Sequence, residues 1–429
     1  MGKSDRFDYA RESILLDLLV RRARIRDDGP PLDIGIQRGF ITHLQERIDH
    51  PHRQLIDAEE RVAIPGLLEP HIHLDKALLE RRMPNLSGTL QEAIRITGVL
   101  KKNQTRGDVL ERSRQVLDMA LRSGTVGLRC HPDVDPIQGL IGVETLLELK
   151  AEYAGLLDLQ IVAFPQEGVL KSPGTIELME EALGMGSDVV GGCPYNERTW
   201  EDARAHIDMV FSLAQRFDKP IDMHADFADD VSDSRFAAAA YIAEKTIDTG
   251  YQGRVCLGHM TSLASLLPAE AAPVIDLMRR AGIHVVTLPA TDVYLGGRSG
   301  ANNPRRSLAP IRALRAAGVN VTFSSNNIQN AFTPFGTADP LQMGLFLAHI
   351  AQMGSPEDQA AVLRMPTYAA AAAMGVSAHY GIEVGKQADL VILDTHRVAD
   401  VLLESPSRLW VMKRGRITVT TRHTCEIHR

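Results

Sequence analysis

Short apolar runs bounded by turn residues alternate along most of this chain with longer amphipathic runs, at intervals of about 30 to 50 residues. The runs at 127–130, 159–164, 189–192, 220–224, 255–259, 284–288 and 319–323 read as buried strands, and the apolar run that ends at His71 makes eight. Between them, 175–183, 203–216, 237–248, 272–281 and 308–317 read as amphipathic helices. Strands and helices alternating in this number predict an α/β fold, the (β/α)₈ or TIM barrel.

Toward both ends the pattern changes. Residues 13–65 read as short strands and turns: 15–24 is apolar, Asp27-Asp28-Gly29-Pro30-Pro31 turns, and 33–44 forms strands about Gly39. A similar pattern returns at 380–394, with one buried-type strand, and at 409–419, a hairpin about Arg414-Gly415. The two ends, 1–64 with 376–429, are expected to form one small β-sandwich domain, and the barrel to occupy 65–375.

One strand carries an evident chemical signal. Ile64-Pro65-Gly66-Leu67-Leu68-Glu69-Pro70-His71-Ile72-His73 ends in two histidines spaced i, i+2. Side chains alternate across a strand, so both imidazoles leave the same face and converge beyond its end, as two ligands of one metal ion must. Barrel chemistry sits at strand C-terminal ends. Polar residues gather there: His131, Gln166, His224 with Asp226, His259, and Asn326 with Asn327. His224 completes a three-imidazole set that leaves positions open for water and substrate. His131 is either pocket wall or a structural histidine. Asp292 and Arg298 either bound the pocket or pair with each other.

Composition narrows the partners. A net charge of −7 and 5% aromatic residues leave neither a basic surface nor stacking platforms, so nucleic acid is not expected. No run of 18 apolar residues occurs and the N-terminus has no apolar signal region, so neither a membrane nor a secretory route is expected. The four cysteines, Cys130, Cys193, Cys256 and Cys425, are scattered without a CxxC pair, which suits a reduced, cytoplasmic setting.

Segments along nearly the whole chain carry a family resemblance: Pro65-Gly66 through His73, 159–168, 187–192, 221–226 with Asp229-Asp230 and Ser234-Arg235-Phe236, 318–323 and Pro334-Phe335-Gly336-Thr337. In content and order these resemble the amidohydrolase superfamily, in its cytosine deaminase-like branch, which includes enzymes that strip amines from s-triazine rings such as the N-isopropylammelide amidohydrolases. The resemblance implies a hydrolase of carbon–nitrogen bonds other than peptide bonds, a homo-oligomer, and one divalent ion (zinc, iron or manganese) on His71, His73, His224 and the residue at 326. It further implies that Gln166 meets the amide edge of a ring, that His259 stands beside the attacking water, and that Phe332 is an aromatic wall. Gly192-Cys193-Pro194-Tyr195 holds no lysine, so the carboxylated bridge of two-metal relatives is not expected.

Two departures alter the expected chemistry. Asn326 stands where the family places an aspartate that binds metal and takes a proton, and Phe227 stands where its deaminases place a glutamate proton shuttle. An amide offers an oxygen but accepts no proton from water, and a phenyl ring does neither. General acids and bases contribute about 10²–10⁴-fold each, so ordinary cytosine deamination is not expected. His259 with Asp226 is the expected catalytic pair, with Asp226 as a helix cap the competing reading; Asn327 and Phe227 join Gln166 in the substrate pocket. The expected activity is metal-assisted hydrolysis of a C–N bond in a small nitrogen heterocycle or cyclic amide. The alternative is a degenerate relative without hydrolase activity, serving as a binding protein or running elimination or isomerisation.

Overall fold

The computed structural model describes residues 15–298 and 302–428. Eight parallel strands follow one another around a barrel: Leu67–Ile72, Thr125–Cys130, Asp158–Ala163, Val189–Gly192, Ile221–Ala225, Val255–His259, His284–Thr287 and Asn320–Phe323. Every residue of the first, second, fourth, fifth and sixth is buried, because one face fills the barrel and the other lies under helices. That double burial is why the strands read as continuous apolar runs rather than alternating ones.

Backbone and side chains together close the ring between first and last strands. The Asn326 backbone carbonyl accepts from the His73 N–H at 2.9 Å, and its backbone N–H donates to the His71 carbonyl at 3.1 Å. Beneath them the buried Glu69 carboxylate accepts from the Ser324 hydroxyl, from the Ser325 N–H at 2.9 Å and from the Ser325 hydroxyl at 2.6 Å. Ser324 Oγ in turn accepts from the His71 N–H at 3.0 Å. The seam therefore fixes His71, His73 and Asn326 relative to one another.

Helices cover the barrel as the amphipathic runs predict. Trp200–Phe217 starts where the Thr199 hydroxyl accepts from the Asp202 N–H and stops where Asp218 turns left-handed, at φ 50°. Its buried face, Ala203, Ile207, Val210, Phe211 and Ala214, recurs at three- and four-residue spacing against the barrel. Losing the Thr199 cap would cost about 1 kcal/mol.

The chain ends contribute two four-stranded sheets. Phe40–Gln45, Leu32–Gln37, Leu16–Ala23 and His52–Asp57 form one; Arg416–Thr420, Arg408–Lys413, Leu390–Leu393 and Ala63–Pro65 form the other. They share a core that includes Leu18, Val20, Ile34, Ile36, Ile392 and Met412. The hairpin turns at Arg414-Gly415, both left-handed. No helix among the described residues is long and apolar enough to cross a membrane. Cys130, Cys193 and Cys256 are buried free thiols.

Candidate metal centre and active-site pocket

His71 and His73 leave the first strand on one face, and His224 meets them from the fifth. The Nε2 atoms of His71 and His73 each lie 3.1 Å from Nε2 of His224. Nitrogens bound tetrahedrally to one zinc ion stand about 3.3 Å apart, so the three converge at ligand-like separation. The His131 carbonyl accepts from His73 Nδ1 at 2.8 Å, which turns the lone pair of Nε2 inward. Burial pushes the His71 imidazole down to about 3 and holds His73 and His224 well below the ordinary range; the neighbouring imidazoles, and Lys76 beside His73, add to the effect. All three are therefore neutral, the form that binds metal.

Asn326 supplies the other half of the fit. Its Oδ1 is buried without a hydrogen-bond partner among the described residues, on a backbone held left-handed at φ 59° beside the two histidines. An orphaned buried carbonyl next to three converging imidazoles is what a cation site requires. These four residues fit a divalent ion.

His259 ends the sixth strand at φ 70°, and its Nδ1 lies 2.6 Å from Asp292 Oδ1. The other carboxylate oxygen of Asp292 accepts from the Leu288 N–H at 3.1 Å, so the aspartate is anchored. Asp292 thus pairs with His259 and not with Arg298, whose guanidinium donates to the Tyr294 carbonyl. The structure also decides between the two readings of Asp226. Its chain turns left-handed at φ 56°, and its carboxylate accepts from the N–H groups of Ala238 and Ala239 at 2.8 and 3.1 Å. Asp226 caps the following helix and does not pair with His259; alternation places it on the His224 face only as long as the strand continues.

The pocket above the histidines is lined by Lys76, Gln166, Phe227, His259, Asn326, Asn327 and Phe332, with Leu90 and Ile94 from the helix Leu90–Lys101. Phe227 packs its ring 4.5 Å from that of His259. Asn327 is held by neighbours: its amide donates to Thr291 Oγ1 at 3.3 Å and its carbonyl accepts from Asn330 Nδ2 at 2.7 Å. His131 is not on this wall. It stacks behind His71 at 3.8 Å between ring centroids and faces Asp222 at 3.2 Å.

Three contacts escaped the sequence pattern. Asp292 lies 33 residues from His259, so nothing local links them. Asp222 sits under the cluster, 3.6 Å from His71 Nδ1 and 2.9 Å from the buried Arg129 guanidinium. Its position two residues before His224, on the same strand face, was the available signal. Lys76 projects into the wall with its ammonium 2.5 Å from Asp133.

A parallel barrel with imidazoles converging at its strand ends defines the class: a barrel protein with a candidate metal centre. The chain belongs to the amidohydrolase family, whose sequence profile matches residues 54–419. It is 30% identical over 408 residues, 94% of this chain and 97% of the other, to an N-isopropylammelide isopropyl amidohydrolase of Pseudomonas sp. strain ADP. A pterin deaminase of Rhizobium rhizogenes is 29% identical over 84% of this chain and 81% of its own. Among solved structures, a 5-methylcytosine deaminase from Klebsiella pneumoniae superposes with a TM-score of 0.90 at 31% identity, over 96% of this chain and 99% of that one. Family membership places the chain among hydrolases of carbon–nitrogen bonds.

Proposed function

We propose that this protein hydrolyses a C–N bond in a small nitrogen heterocycle or cyclic amide, releasing ammonia or an amine, with one divalent ion on His71, His73, His224 and Asn326. The observation that carries this reading is the convergence of three neutral imidazoles on a point beside the unpartnered Asn326 oxygen. Similarity to hydrolases named for an ammelide, a pterin and a methylcytosine supports the substrate class. A divalent ion there would supply positive charge that acidifies water at neutral pH.

The chain's own residues do the rest. Asp292 holds the Nδ1 proton of His259, so Nε2 is left as the acceptor for a proton from water and then as the donor to the departing nitrogen. This pair takes the place of the acids absent at 326 and 227. Gln166 meets the ring edge, while Phe227 and Phe332 give the ring apolar faces. A panel of aminated and N-alkylated heterocycles and cyclic amides, assayed for ammonia or amine release, tests the proposal. Turnover should appear with at least one class and fall by about 10³-fold or more in His71→Ala. Absence of release across the panel from metal-loaded protein would overturn it. A second reading, a relative that binds such a ring without cleaving it, draws on the same two replacements, Asn326 and Phe227, and predicts binding without release.

A further inference from the structure

Carboxylates at the barrel mouth are committed behind the pocket wall: Asp135 and Glu167 pair with Lys101 at 2.8 and 3.0 Å, and four more have other partners. Asp75 accepts from the Asp133 N–H at 3.0 Å, and Asp133 lies between Lys76 and Lys101, at 2.5 and 2.7 Å. Asp226 caps its helix and Asp292 holds His259. Among the described residues no Asp or Glu lines the pocket, and Lys76 is its one formally charged side chain.

The hydrogen-bonding groups are equally one-sided. Lys76 Nζ has three donors; Asp133 takes one and Gln166 Oε1, at 3.4 Å, draws a second, so one remains for a ligand. Because its oxygen faces Lys76, Gln166 presents its amide N–H groups, whose nearest partner is Cys193 Sγ at 3.8 Å, a weak acceptor. Of the amide carbonyls on the opposite walls, that of Asn327 is taken by Asn330 and that of Asn196 by Lys171 Nζ at 3.0 Å, which leaves the Asn326 oxygen assigned above to the metal. On this side the pocket therefore offers donors, one of them an ammonium with a hydrogen to spare, and in a water-poor setting an anionic oxygen makes a stronger hydrogen bond to such donors than a neutral carbonyl does.

Resting on the reading that a heterocycle binds here, we infer that the substrate is an anion, a nitrogen heterocycle bearing an ionised ring imide or a carboxylate, with its anionic oxygen against Lys76 and Gln166. Calorimetric titration of the metal-loaded protein with three pyrimidinediones tests this: neutral uracil, barbiturate with its ionised imide, and orotate with its carboxylate. At least one anion should bind about ten-fold or more tightly than uracil. Whichever of barbiturate and orotate leads identifies the source of the charge. The preference should shrink to about three-fold or less in Lys76→Met and recover in part in Lys76→Arg, which keeps the charge. Equal binding of all three, no binding of any, or a preference that survives Lys76→Met would overturn the inference, and the wild-type comparison decides alone if Lys76→Met does not fold. The two readings fail separately: amine release confined to neutral rings overturns the anion and leaves the hydrolase standing, whereas an anion preference without amine release from any ring does the reverse.

Discussion

At the scale of single residues, the proposed chemistry rests on where two aspartates place their carboxylates. Asp292 orients His259, and Asp226, although nearer to His224 in sequence, satisfies the first amides of a helix. The two make opposite predictions. Asp292→Asn can donate an N–H to Nδ1, which favours the wrong tautomer, so amine release should fall by about 10²–10⁴-fold with metal content unchanged. Asp226→Ala should leave two buried amides without an acceptor and cost about 2 kcal/mol in urea denaturation. Equal loss of turnover in both, at equal stability, would place Asp226 in the chemistry after all. The four left-handed residues at the mouth, Asp226, His259, Met260 and Asn326, are non-glycine, and such backbones cluster where a site needs its side chains held off the strand line.

At the scale of elements, the barrel seam is the part most exposed to a single change. Glu69 satisfies three donors from Ser324 and Ser325, and burial raises its carboxyl above the usual range while those donors oppose the rise. Glu69→Ala should leave the donors buried and unpaired, lowering stability by about 2–4 kcal/mol and loosening metal binding together, as urea denaturation and chelator competition would read. The strands themselves were legible because burial on both faces writes them as apolar runs: the run at 255–259 is the strand Val255–His259 without adjustment. Helix starts were less so. The helix expected from 272 begins at Pro268, where a proline at the first position costs no hydrogen bond and Glu270 bonds back to the Leu267 N–H. The one expected from 308 begins only at Ile311, since Pro310 disfavours helical backbone before it. In the site, residues on strand ends were readable from alternation. The partners that orient them were not, because Asp292 with His259 and Asp133 with Lys76 meet through the barrel and not along the chain.

At the scale of the whole molecule, the barrel holds three imidazoles in a dry centre that keeps them neutral, which couples metal, protons and stability. The unfolded chain's histidines take up protons near the ordinary 6.5, whereas folded His71 does so only at about 3. Between these values the unfolded state binds more protons, so stability is full above about 6.5 and declines as pH falls, by about 1.4 kcal/mol per pH unit for each imidazole. Bound metal should be released over the same range, since protons and the ion compete for the same nitrogens. The central claim, that His71, His73, His224 and Asn326 form a metal centre, is tested most directly by elemental analysis of the protein purified at neutral pH after growth with added zinc, iron or manganese. The wild type should carry close to one equivalent, and a folded His71→Ala/His224→Ala variant close to none. A metal-free wild type, or a variant that keeps its metal, would contradict the account.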